Sequence, residues 1–217
     1  MSGLAPWLTL AMLGAYHGVN PGMGWLFAVA RGLQERRREA VVQSLVPIAL
    51  GHAASIALVV ALVGGIQTVA APGPVRAVGA GVLILFGVFK LLRPRSHPRW
   101  VGMRVGAGEL AVWSFLMATA HGAGLMLFPV LLALPAAAHE GSHHAHAPAA
   151  LGLGPASLGQ DAAAVLVHTL AMLLVMSAVA LVVYQKVGLS VLRRAWVNLD
   201  LIWAIAILAA GAFTLFT

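Results

Sequence analysis

The sequence predicts an all-α integral membrane protein with six transmembrane helices, and three observations support this fold class. Hydrophobic residues make up 61% of the 217 residues and charged residues only 9%, whereas a soluble domain carries roughly 25% charged residues. The mean hydropathy is +0.94. The apolar residues also fall in six continuous runs, which suit helices of about 20 residues that cross a bilayer better than the alternating strands of a membrane barrel.

The six predicted spans divide one transmembrane domain into two repeats of three helices. The spans cover about residues 5–30, 40–65, 74–92, 107–135, 161–184 and 196–216. The first repeat runs over about 1–93 and the second over about 105–217. A His-rich outer loop over about 136–160 separates the fourth span from the fifth, and a short His-rich tract is a compositional signal for metal binding.

Basic residues predict the orientation of the chain. Twelve of the 13 Lys and Arg residues lie in the loops after spans one, three and five, and only Arg76 lies on the other side. Because cytoplasmic loops collect positive charge, we expect both termini outside, in a bacterial inner (plasma) membrane. The same tendency explains the net charge of +7 without nucleic acid as a partner. The lack of cysteine excludes disulfides and thiolate metal sites.

Histidines recur at matching places in the two halves. Span one contains His17-Gly18 and span four contains His121-Gly122, while span two carries His52 and span five carries His168. Since each half has three spans, the halves must cross the membrane in opposite directions. This is the 3+3 inverted repeat of many transporters, which bind their substrate near the midplane between the halves.

These four histidines are the predicted ion ligands. Ionisable residues are rare inside membrane spans and are functional candidates by default, and neutral imidazole is a common ligand of Zn, Cu, Fe and Ni. A structural alternative is a neutral histidine hydrogen-bonded to a carbonyl of a neighbouring helix. Four such residues at related positions of two repeats favour the functional assignment.

Two further polar residues complete the predicted metal site. Asn20 lies three residues after His17 and shares its helix face. Pro21 next to it should break the helix and free a carbonyl that can line a cavity. Asp200, about one turn into span six, is the intramembrane carboxylate candidate, with a helix cap as the alternative. Glu109 and Asp161 are expected to be boundary residues at the starts of spans four and five.

The motifs around the first two histidines resemble a known family. His17-Gly18-Val19-Asn20-Pro21-Gly22-Met23-Gly24 and Leu50-Gly51-His52-Ala53-Ala54-Ser55 resemble the nickel/cobalt transporter (NicO/RcnA-type) branch of the LysE superfamily. The resemblance implies divalent cation transport, a six-helix core with inverted repeats, and His-rich loops. Met23 stands where that family has its second motif histidine, and Gly51 where it has a polar residue, so the chain is identified as a diverged member.

The function expected from these features is secondary transport of a divalent transition-metal ion, nickel or cobalt, as the substrate. No organic cofactor and no catalysis are expected. The expected partners are the lipid bilayer, the metal ion and a further copy of the chain in a homo-oligomer. Three alternatives stay open: an electron carrier with b-type haem between paired histidines, a transporter of a non-metal solute with histidines as proton relay, and an enzyme with an intramembrane metal.

Overall fold

A computed structural model describes residues 4–67, 72–93, 106–132, 134, 155–187 and 199–216. Within these residues the chain is helical and contains no strand. The helices are α1 (Ala5–Val19), α2 (Trp25–Glu35), α3 (Arg38–Gln67), α4 (Pro72–Leu92), α5 (Ala107–His121), α6 (Ala123–Leu132), α7 (Pro155–Val182) and α8 (Leu199–Phe216). A 3-10 turn over Pro21–Met23 joins α1 to α2, and a π turn over Val183–Val187 extends α7.

Three helices of the described chain are long and apolar enough to cross a membrane. They contain the segments Arg38–Ile66, Gly73–Leu92 and Leu158–Lys186. Helices α5 and α6 together make a fourth if this pair, which bends by 60°, is one span, and Ala204–Phe216 is a shorter apolar helix. The all-α class is confirmed and the apolar helices indicate a membrane protein, while the count of six spans stays a prediction.

Both helices that carry a His-Gly pair are broken directly after it. Helix α1 ends at Val19, where Asn20 turns to an extended conformation and its Oδ1 accepts a hydrogen bond from the Gly22 N–H at 2.8 Å. The break that Pro21 predicts is therefore present. The break between α5 and α6 was not predicted. It occurs at Gly122, whose φ of 71° is a left-handed conformation that glycine adopts at little cost.

Helix α1 packs closely along α7 because two glycines face the partner backbone. A Cβ atom added at Gly18 would lie 2.5 Å from the carbonyl oxygen of Met172, and one added at Gly14 would overlap the carbonyl oxygen of His168. Small residues at such contacts let membrane helices approach closely. This contact brings the end of α1 against the middle of α7.

Two other helix pairs use the same kind of contact. Between α3 and α5, Gly51 leaves no room for a side chain, and Ser114 Oγ donates a hydrogen bond to the Ile48 carbonyl at 2.7 Å. Between α4 and α8, a Cβ added at Gly87 would lie 2.7 Å from Leu208 Cγ. The main packing pairs are therefore α1–α7, α3–α5 and α4–α8.

Charged residues at the helix ends follow the prediction in one case and depart from it in two. Glu109 Oε2 accepts a hydrogen bond from Gly106 N at 2.9 Å, as a boundary residue in the first turn of α5 should. Helix α7 begins six residues before Asp161, so this carboxyl lies beyond the first turn. Lys90 is buried in the last turn of α4 with its Nζ 6.0 Å from the Phe86 ring centre, although the sequence places it in a polar loop. A lysine stem is long enough to pack along apolar surface in this way.

Candidate metal centre

Three histidines from three helices meet inside the bundle. His17, His52 and His168 each offer a ring nitrogen, and these three atoms lie within 4.8 Å of one another. All three side chains are buried. The ring centres are 5.1 Å apart for His17 and His52, 4.8 Å for His17 and His168, and 5.6 Å for His52 and His168. We refer to this group as the histidine triad.

The triad lies half-way along the two longest helices. His52 is the fifteenth residue of α3, which has 30 residues, and His168 is the fourteenth residue of α7, which has 28. Both helices are long enough to cross a bilayer. His17 reaches the same depth from the last turn of α1. His17 can reach this position because Gly14 and Gly18 let α1 pack closely against α7.

The spacing of two triad members already fits a metal ion. His52 Nε2 and His168 Nε2 are 3.4 Å apart, and the two rings are nearly parallel, with an interplanar angle of 7°. Two imidazole nitrogens bound at 2.0–2.1 Å to one tetrahedral ion lie about 3.3 Å apart. The same separation also allows a hydrogen bond between the two rings. His17 would complete a three-ligand set by a small approach.

Backbone carbonyls orient two of the triad rings. His17 Nδ1 lies 2.7 Å from the Leu13 carbonyl oxygen, and His168 Nδ1 lies 3.2 Å from that of Leu10. A carbonyl oxygen can only accept, so in both neutral rings Nδ1 carries the hydrogen and Nε2 carries the lone pair. Metal-binding histidines typically have this arrangement. The contact of His168 Nδ1 with the Leu10 carbonyl on α1 is the structural role considered above for a single membrane histidine, and it leaves Nε2 available as a ligand atom.

His52 is held differently. Its Nδ1 is buried and has no hydrogen-bond partner in the part of the chain that the structure describes. Either tautomer is therefore open to this ring without the loss of a hydrogen bond at Nδ1. His52 can donate from Nε2 to His168 or present a lone pair there to an ion.

The donor set of the triad selects a class of ion. Among the described residues no carboxylate or thiolate joins the three imidazoles within ligand distance. Imidazole suits Zn, Cu, Fe and Ni, whereas Mg and Ca prefer oxygen ligands. Three histidine ligands would also leave at least one coordination position open for water or another ligand, as in catalytic zinc sites. If the triad holds an ion, this donor set therefore favours a divalent transition metal over Mg or Ca.

His121 lies beside the triad rather than in it. It is buried at the end of α5, and its Nδ1 lies 2.8 Å from the Met117 carbonyl oxygen. Its Nε2 would be 3.8 Å from a Cβ atom added at Gly22.

Asn20 is buried next to His121, but its oxygen serves the local fold. Its Oδ1 caps the 3-10 turn by accepting the hydrogen bond from Gly22 N, and it would lie 3.1 Å from a Cβ added at Gly22. A Cβ atom at Gly22 would therefore contact both the Asn20 oxygen and the His121 ring. The structure thus brings Asn20 and His121 near each other and outside the triad.

The remaining predicted ligands fall on less fully described parts of the chain. Asp200 is the second residue of α8, and its side chain lies outside the described residues. Residues 135–154, which include the His-rich tract, also lie outside them. Met23, where the resembling family has histidine, is buried in the 3-10 turn.

A pair of hydroxyl groups near the histidines had no role in the sequence prediction. Ser55 Oγ and Thr119 Oγ1 are 2.8 Å apart, and Thr119 Oγ1 donates to the Phe115 carbonyl oxygen at 2.8 Å. Since Thr119 has one hydroxyl hydrogen, Ser55 is the donor to Thr119. The pair ties α3 to α5 one turn from His52. The signal in the sequence is the spacing of three between His52 and Ser55, which puts both on one helix face.

An apolar groove of about 650 Å³ runs between α3 and α7 but does not include the triad. Its wall on α3 consists mainly of small residues such as Ala53 and Ala57, and its polar lining residues are Asp161 and Thr169. Thr169 Oγ1 is buried and has no hydrogen-bond partner within the described ranges. The groove lacks the histidines that an ion would need.

No family model, no curated protein and no solved structure matches this chain. The likeness to nickel/cobalt transporters therefore rests on the motifs around His17 and His52 alone. The chemistry of the centre follows from the geometry of its own three imidazoles.

Proposed function

We propose that the chain is a multi-pass membrane transporter of a divalent transition-metal ion, with nickel or cobalt as the expected substrate. The ion binds at the histidine triad half-way across the bilayer. The observation that carries this proposal is the convergence of three buried imidazoles from three separate helices, whose ring nitrogens lie within 4.8 Å of one another. A buried cluster of this kind has no evident value for packing, because each ring must be desolvated.

The breaks next to the histidines support transport over static binding. Helices α1 and α5 each end within two residues of a histidine, and each continues as a new helix in the same loop-free stretch of chain. Discontinuous helices near the midplane are typical of transporters, where their ends contribute to the ion site. A purely structural metal site has no need of two such breaks.

The packing pairs support the inverted repeat. Under the predicted repeat, α1 corresponds to α5, α3 to α7, and α4 to α8. Exchanging the corresponding helices turns the α1–α7 pair into the α5–α3 pair and leaves the α4–α8 pair unchanged. A two-fold axis in the membrane plane has this effect. With the positive loops inside, both termini lie outside, and a bacterial inner membrane is the expected location.

The triad favours an ion over haem. Two axial histidines must face each other across a flat macrocycle, whereas the ring of His17 lies about as close to His52 and His168 as these two lie to each other. That ring occupies the space that a macrocycle would need. An absorption spectrum of the protein purified with haem supplied checks this point, because bound haem gives a Soret band.

Transport of Ni²⁺ or Co²⁺ into proteoliposomes tests the proposal. The informative variants are His52→Asn and His168→Asn, which remove Nε2 and keep a side chain of similar polarity. The matched control is Thr169→Val, which changes the residue next to His168 on the groove side of α7. We expect flux and metal affinity to fall by at least about 100-fold in both histidine variants, since even outer-shell changes cost 10–100-fold, and to persist in the control.

Unchanged flux in both histidine variants would refute the proposal. A solute transporter with a histidine proton relay predicts a different pattern, in which calorimetry of the wild-type protein detects no micromolar binding of Ni²⁺, Co²⁺ or Zn²⁺. That result would also reject the metal-ion function.

A further inference from the structure

We infer that the ion has two binding states which share His52 and His168, and that His121 replaces His17 as the third ligand when the transporter changes its open side. This inference rests on the proposed function and deepens it, because it assigns His121 a role that the triad alone does not require. Four observations lead to it.

His52 and His168 are the two ligands that we assign to both states. Both lie at the midpoints of helices that run unbroken through the described chain, and their Nε2 atoms are already 3.4 Å apart. Under the repeat exchange His52 and His168 take each other's place. Because the exchange of repeats keeps this pair, we expect His52 and His168 to bind the ion in both states of the transporter.

His17 and His121 have the same local geometry, and they also exchange with each other. Each ring has its Nδ1 within 2.8 Å of the carbonyl oxygen four residues earlier, that of Leu13 or of Met117. Each therefore carries its lone pair on Nε2. Exchanging the repeats therefore keeps the pair of His52 and His168. It replaces His17 by His121 as the third histidine.

The third ligands lie at hinges, unlike the shared pair. His17 is two residues from the end of α1 and three from Asn20, where the backbone becomes extended. His121 is the last residue of α5, followed by Gly122 in a left-handed conformation. In the exchange, a local change of backbone or rotamer beside one of these breaks shifts one third ligand relative to the shared pair. Glycines and helix ends are common places for such hinge motion.

His121 lies near the break that follows α1. A Cβ atom added at Gly22 would be 3.8 Å from His121 Nε2 and 3.1 Å from Asn20 Oδ1. In the structure the ring nitrogens of His17, His52 and His168 lie within 4.8 Å of one another, so this conformation corresponds to the state in which His17 is the third ligand.

Paired measurements on asparagine variants test this exchange. Asparagine keeps an N–H that can donate to the carbonyl four residues earlier and removes Nε2, so His17→Asn and His121→Asn should fold. Co²⁺ binding is followed in detergent by its visible absorption, and Co²⁺ flux is followed in proteoliposomes. His52→Asn serves as the variant that disrupts both states.

The exchange predicts a split between binding and flux. His17→Asn and His121→Asn should each bind Co²⁺ within about tenfold of the wild-type affinity, because one three-ligand set survives, while flux falls by roughly 100-fold as for loss of a ligand. The variant that combines His17→Asn with His121→Asn should lose binding as His52→Asn does. Wild-type flux in His121→Asn, or loss of binding in His17→Asn equal to that in His52→Asn, would overturn the inference.

A glycine substitution gives a second test that leaves all histidines in place. In Gly22→Ala the added methyl would lie 3.1 Å from Asn20 Oδ1 and 3.8 Å from His121 Nε2. We expect the Co²⁺ affinity to equal that of the wild-type protein. The Co²⁺ flux should fall by about tenfold or more, the lower limit for a change outside the ligands themselves. Gly81→Ala is the control, since no atom lies within 4 Å of the added methyl. Equal flux in Gly22→Ala and Gly81→Ala would count against the exchange.

The two proposals fail in different ways. If the wild-type protein neither binds nor transports Co²⁺ or Ni²⁺, the proposed function itself is wrong. If it binds and transports the ion through His52 and His168, but His121→Asn has wild-type flux, only the exchange is wrong.

Discussion

Gly18→Ala is the substitution whose consequences follow most directly from the structure. Gly18 lies next to His17, and an added Cβ would meet the Met172 carbonyl oxygen at 2.5 Å and the Met176 nitrogen at 2.9 Å. Both are backbone atoms of α7, which cannot rotate away as a side chain could. Helices α1 and α7 must therefore separate, and this interface also sets the position of His17 against His168.

The size of the effect can be worked out from these distances. A normal non-bonded contact is about 3.5 Å, so relief of the overlap requires a displacement of about 1 Å. Overpacking of this kind costs about 1–3 kcal/mol, and alanine returns roughly 0.5–1 kcal/mol in a helix. Metal–ligand distances tolerate only about 0.2 Å. We therefore expect the free energy of unfolding to fall by about 1 kcal/mol and the metal affinity to fall by about 10–100-fold.

Denaturation in mixed detergent and metal titration by calorimetry measure these two quantities. Gly81→Ala is the matched control, because it makes the same substitution inside α4 where the added methyl meets nothing within 4 Å. The control should be as stable as the wild-type protein or slightly more stable, with unchanged affinity. If Gly18→Ala keeps both wild-type stability and wild-type affinity, the close approach of α1 and α7 does not position the triad.

Two other predictions concern groups outside the triad. Thr169→Val should raise stability by about 1 kcal/mol, because it removes a buried hydroxyl that has no hydrogen-bond partner among the described residues; a lower unfolding midpoint in mixed detergent would contradict this. Hydrogen bonds from Arg37 and Arg31 hold the pKa of Glu35 below its usual value of 4.5. The ionised carboxylate therefore stabilises the fold above this value, and its contribution is lost as pH falls through the lowered pKa. Glu35→Gln should thus melt slightly below wild type at pH 7 and equal to it in acid, and a difference that grows on acidification would refute the assignment.

The sequence predicted the helical class and the break at Pro21 because both depend on local chemistry. Hydrophobic runs identify apolar helices, and proline cannot donate the hydrogen bond that continues a helix. The break after His121 was missed, since Gly122 has no proline beside it and an isolated glycine is often tolerated inside a helix. The position of Lys90 was missed because a buried lysine depends on its tertiary neighbours.

The sequence predicted the four histidines as one site but could not show which of them meet. Each of the four histidines stands out as an ionisable residue in an apolar run. Their grouping depends on close helix contacts at Gly14, Gly18 and Gly51. The sequence is rich in alanine and glycine, so the spacing of these glycines does not show which helix each of them contacts. The triad therefore emerged only when α1, α3 and α7 were seen together.

The sequence by itself determined that the chain is apolar and helical, and that four histidines lie within its apolar runs, because composition and periodicity act along the chain. Only the tertiary structure decided that His17, His52 and His168 meet within 4.8 Å while His121 lies beside them. The physical reason is that contacts between helices are set by which small residues face a partner backbone. Asn20 illustrates the difference: its spacing from His17 suggests a ligand, while the fold uses its oxygen to cap the turn at Gly22.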